Sequence, residues 1–76
     1  MVSAKEFDVK QKIAVLGPAG TGWFKELRLV KWGDYEHYLY DIRKWNDGKN
    51  IPGKGISLNK DELKALRDAL NGLELD

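Results

Sequence analysis

Apolar and polar positions alternate over most of the first 58 residues and then switch to helical spacing. Phe7 to Leu16 opens with Phe7, Val9, Ile13 and Val15 on the apolar side, which predicts a first strand. Gly17-Pro18-Ala19-Gly20-Thr21-Gly22 predicts a loop by its glycines and proline. Trp23 to Trp32 predicts a second strand, with Leu27 and Leu29 on one face and Glu26, Arg28, Val30 and Trp32 on the other. Gly33 to Glu36 reads as a turn. His37 to Trp45 reads as a third strand, with Tyr38, Tyr40 and Ile42 alternating against Leu39, Asp41, Arg43 and Trp45. A polar turn, Asn46 to Asn50, follows; Ile51 and Pro52 then lead into a fourth strand centred on Gly55 to Leu58.

The helix is marked at both ends. Asn59 is a favourable N-cap, Glu62 stands three residues on as in a capping box, and Leu58 and Leu63 are spaced for a hydrophobic staple. Leu63, Leu66, Leu70 and Leu73 recur at helical spacing with Ala69 beside them, and Gly72 is placed as a C-cap.

Strand parity then assigns the faces. The leucine stripe is expected to cover Leu27, Leu29, Tyr40 and Ile42. Arg28, Trp32, Arg43 and Trp45 are expected to project from the opposite face, which no second helix remains to cover. An exposed indole beside a cation on an uncovered sheet is the pattern of a platform for a single nucleic-acid strand. The plainer reading of the same pair is cross-strand packing or a dimer contact, with Arg43 neutralised by Asp41. Lys54 between Gly53 and Gly55 suits a phosphate reaching both backbone N–H groups and an ammonium; the plainer reading is a glycine turn with a solvated lysine. Trp23, beside Phe24 and a loop, reads equally as core. Lys10, Lys12, Lys25, Lys44 and Lys49 read as solvated charges, of which Lys25, Lys44 and Lys49 are weaker candidates for the same interface.

Composition changes the picture by exclusion. The 76 residues bound one domain, 33% charged and 42% hydrophobic, with a modest core. No cysteine is present, so neither a disulfide framework nor a zinc cluster supplies stability, and oligomerisation is the device left. The lone His37 has no ligating partner, and no nucleophile is paired with a base, so neither a metal, a cofactor nor catalysis is expected. No run reaches the ~20 apolar residues of a membrane span, and the N-terminus lacks signal-peptide character; a cytoplasmic protein is the default expectation. The segment IAVLGPAGTG imitates the start of a phosphate-binding Walker loop, but Trp23 stands where the lysine is required and a strand follows where a helix is required. Net charge is only +1. Its distribution says more: residues 1–58 hold ten basic against seven acidic side chains, residues 59–76 three against five. A mildly basic sheet with an acidic helix suits one face turned toward an anion.

At YDIRKW and GKGISLNKDELKALRDAL the chain resembles the positive cofactor four family of transcriptional coactivators, in its small bacterial form. The similarity runs from about Lys25 to Gly72. It implies an α+β fold, a four-stranded antiparallel curved sheet followed by one C-terminal helix, assembled as a homodimer. It also implies binding of single-stranded DNA with little sequence preference. Family aromatics at the ends of the second and third strands stack on bases; Trp32 matches the first and Trp45 the second, where the family often carries two aromatics against Trp45-Asn46 here. Arg43 and Lys54 match positions that contact the nucleic-acid backbone. The hairpin at Gly33–Tyr38 is longer here. Nothing corresponds to the basic, serine-rich tail of eukaryotic members, which leaves the binding core. A protein-interaction adaptor using the same aromatic face, and RNA in place of DNA, are the alternatives.

Overall fold

The polar residues Met1 to Glu6 are expected from the sequence to fray; the computed structural model describes residues 6–76, so that expectation lies outside the described residues except at Glu6. Four strands, β1 (Phe7–Pro18), β2 (Trp23–Trp32), β3 (Leu39–Asn46) and β4 (Ile51–Leu58), form an antiparallel meander in sequence order. The helix α1 (Lys60–Asn71) follows. His37 and Tyr38, expected within the third strand, precede it. Tyr38 instead hydrogen bonds Asp8 through its hydroxyl, which pushes the phenol up from its ordinary pKa.

The turns form for local reasons. Between β1 and β2, Ala19 N–H donates to the Trp23 carbonyl at 2.9 Å and Trp23 N–H to that of Gly20 at 2.9 Å. Gly22 takes φ +77°, open to glycine at little cost. The glycine-rich segment is therefore a hairpin connection. Between β3 and β4, Asn50 supplies the left-handed residue at φ +53°, and Asn46 Oδ1 accepts from Lys49 N–H at 3.1 Å. The capping box is formed in both directions: Glu62 N–H donates to Asn59 Oδ1 at 2.8 Å, and Asn59 N–H to Glu62 Oε1 at 2.9 Å.

The sheet is strongly curved. Trp45 lies opposite Phe24, whereas Trp32 stands at the far end of β2. On a straight strand the eight-residue separation of Phe24 and Trp32 is about 26 Å. Yet the Trp32 and Trp45 rings stack with centroids 6.1 Å apart. Three register shifts in β1, between Val9 and Gln11, Lys12 and Ala14, and Val15 and Gly17, supply the bend, with a fourth between β3 and β4 after Arg43.

Curvature decides where the core sits. Val30, Trp45, Glu26, Asp41 and Arg28 are buried, and all lie on the face without the helix. The helix lies over the other face, as its leucine stripe required, but none of its residues is buried. An open apolar cavity of about 550 Å³ remains between them, lined among others by Leu16, Leu27, Tyr40, Ile42, Leu63 and Leu66. Leu70, which also lines it, and Leu73 stay about half exposed.

Candidate nucleic-acid interface

Alternation along β2 and β3 brings Glu26, Arg28, Val30 and Trp32 to the same face as Asp41, Arg43 and Trp45. Phe7 and Lys12 join them from β1, and Ser57 from β4. The two indoles are nearly parallel, 15° between planes, and Phe7 stands edge-on to Trp45 with centroids 5.4 Å apart. Each indole carries a guanidinium: Arg28 Cζ lies 4.0 Å from the Trp45 ring centre and Arg43 Cζ 4.5 Å from that of Trp32. Such contacts hold both cation and ring in place.

The cations are also neutralised. Arg28 Nη2 meets Glu26 Oε1 at 2.6 Å and Asp47 Oδ1 at 2.6 Å. Arg43 Nε donates to Asp41 Oδ2 at 2.6 Å, and its Nη1 to the Gly53 carbonyl at 3.0 Å. Ser57 Oγ donates to Asp41 Oδ1 at 2.9 Å, and Lys12 Nζ to Asp47 Oδ2 at 3.3 Å. Buried charges persist only when paired in this way. Desolvation pushes the Asp47 carboxyl up; hydrogen bonding to Glu26 and Lys12 and the charges of Lys12 and Arg28 draw it further the other way, below the usual carboxylate value.

This geometry corrects the expected platform. Trp45 shares the predicted face with its cation, but its exposure is 0%. Trp32, Phe7 and Arg28 pack around it, and with no exposed surface its ring offers a base nothing to stack on. For Trp45 the cross-strand packing reading is the one observed. Arg28 is likewise buried, with Nε held by Glu26 and Nη2 by Glu26 and Asp47, so its charge is spent on these two carboxylates. Trp32 is half-buried, and Arg43 retains partial access.

The two glycines flanking Lys54 have packing reasons of their own. A Cβ at Gly55 would stand 1.9 Å from Arg43 Cβ and 2.4 Å from the Ile42 carbonyl oxygen; one at Gly53 would stand 2.5 Å from Lys44 Cγ. Lys54 itself is exposed. Lys25 and Lys44 lie on the helix-bearing face by strand parity, away from Arg28 and Trp32. Lys49 is exposed in the β3–β4 turn. The sequence reading missed Phe7, Glu26, Asp47 and Lys12 as members of the cluster. The Glu26-x-Arg28 and Asp41-x-Arg43 spacings carried a signal for two of the ion pairs, since i and i+2 share a strand face. Nothing local announced that Asp47 would fold back onto Arg28.

The family described as Transcriptional Coactivator p15 (PC4) matches residues 19–69. An uncharacterized protein of Treponema pallidum (strain Nichols) is 39% identical over 70 residues, covering 92% of this chain and 81% of the relative.

Proposed function

The chain belongs to the transcriptional coactivator p15 (PC4) family, and from that premise we propose that it is a non-enzymatic protein that binds single-stranded DNA with little sequence preference. The observation that supports this reading is the half-buried Trp32 ring with the Arg43 guanidinium 4.5 Å from its centre, on a sheet face without a helix. A base stacks on the accessible part of Trp32, and phosphates are drawn to Arg43 and to exposed Lys54. Trp45 and Arg28 act from beneath, holding Trp32 and the curve of the sheet. Lys25, Lys44 and Lys49 add attraction that is independent of sequence. No helix among the described residues is long and apolar enough to cross a membrane, and the protein is read as cytoplasmic, serving transcription, replication or repair. RNA is the alternative strand on the same surface.

The working form in this reading is a homodimer. A helix with no buried residue over an open apolar cavity is an unfinished interface, and a second copy covers it without a disulfide. The same cavity favours a second reading, in which an apolar segment of a partner protein docks there and the chain is an adaptor.

Titration with oligo-dT separates the two. Single-strand binding quenches tryptophan emission and weakens with salt at about 0.7 log units per phosphate contact. Arg43→Ala with Lys54→Ala weakens it further. Emission unchanged by stoichiometric oligo-dT at low salt would rule the reading out, whereas an adaptor tolerates both substitutions.

A further inference from the structure

The register of the sheet sets four residues in one row on the helix-bearing face. Gly17 lies opposite Lys25, and Lys25 opposite Lys44. Gly53 lies against the Lys44 side chain on β4. On one side of this row stands Trp23 opposite Asn46; on the other stands Leu27 opposite Ile42, at the apolar cavity. Lys44 Nζ reaches back to 5.1 Å from the Trp23 ring centre, and the lack of a side chain at Gly53 makes room for it.

Two features of the row are not explained by folding. Like charges directly opposite each other on neighbouring strands are destabilising. Among the described residues neither Lys25 nor Lys44 has a carboxylate within ion-pair distance, while Lys12, Arg28 and Arg43 on the other face are all neutralised. The row also has no side-chain wall at either end, because both terminal positions are glycine. Two cations without a carboxylate partner, one of them reaching a half-buried indole, in a row that ends in glycine on both edge strands, suit an anion that is long, narrow and carries flat rings. We propose that a single nucleic-acid strand crosses the sheet along Gly17–Lys25–Lys44–Gly53, with phosphates on the two lysines and one base on Trp23. The proposal rests on the single-strand reading above and adds to it a contact on the opposite face.

The test uses end-labelled oligo-dT and anisotropy, so that removing a tryptophan leaves the signal intact. Lys25→Ala with Lys44→Ala is expected to weaken binding about tenfold or more and to flatten the salt slope by about 1.4, the share of two phosphates. Its melting temperature stays the same or rises, because the opposed charges are gone; a merely structural pair would lower it. Trp23→Ala weakens binding about tenfold with little change of slope, and Trp23→Phe recovers most of the loss. Wild-type binding with an unchanged double variant overturns the row and leaves the single-strand reading standing. Failure of the wild-type protein to bind overturns both. A changed monomer–dimer equilibrium with intact binding overturns the row and assigns the lysines to the contact between copies. Binding of poly-glutamate that depends on the lysines, with oligo-dT binding unaffected, overturns it in favour of an acidic polypeptide.

Discussion

Trp45→Ala separates a core tryptophan from a base platform. Trp45 is the largest fully buried side chain. Truncating a buried tryptophan costs about 3–5 kcal/mol through lost transfer energy and the cavity left behind. The Arg28 contact and the edge-on and stacked contacts with Phe7 and Trp32 place this site toward the upper end. At roughly 0.05–0.15 kcal/mol per residue, a chain of 76 residues has about 4–11 kcal/mol in total. Trp45→Ala therefore stands at the edge of unfolding, and Trp45→Phe, which keeps a ring against Arg28, is the variant to measure by urea unfolding. Trp32→Ala, from a half-buried position, is expected to cost roughly half as much as Trp45→Ala. Proteins keeping only Trp45 or only Trp32 supply the second readout, with acrylamide quenching far weaker for Trp45. A loss below about 1 kcal/mol for Trp45→Ala, or equal quenching of the two rings, would refute the placement of the core on this face.

Other expectations follow from the same packing. Gly55→Ala sets a Cβ against Arg43 Cβ and the Ile42 carbonyl, atoms that no rotamer change can move, and should cost about 2 kcal/mol or more in urea unfolding; Lys54→Ala beside it should stay within about 0.5 kcal/mol. Asp41→Ala leaves Arg43 and Ser57 without their shared acceptor, and a loss of about 3–5 kcal/mol is expected from the uncompensated guanidinium. Asp47 titrates below its ordinary value, so its stabilising share is complete above about pH 4 and is lost as pH falls through the lower folded value. Asp47→Asn should therefore show less stability at neutral pH and a flatter decline on the acid side, measured as melting temperature against pH.

Much of the fold was legible because its signals are local. Period-two alternation marked β2 and β3, the glycines of GPAGTG and the polar Asn46–Asn50 run marked the hairpins, and Asn59 with Glu62 marked the start of α1. Strand parity also placed Arg28, Trp32, Arg43 and Trp45 on one face, and the face without the helix. Parity says which side a residue takes, but not how far the sheet bends. The bend comes from register shifts in β1, where the alternation breaks down in QKIAV, and it folds the predicted platform inward.

The amino-acid order by itself determined the strands, the capped helix, the shared side of the sheet taken by Arg28, Trp32, Arg43 and Trp45, and the family. Each of these follows from neighbours within a few residues, or from a motif. Only the tertiary structure decided that Trp45 is core, that Arg28 is held by Asp47 through a turn, and that Lys25 faces Lys44 with no carboxylate among the described residues to pair with either. Exposure and pairing depend on curvature and register, and both arise between strands rather than within them.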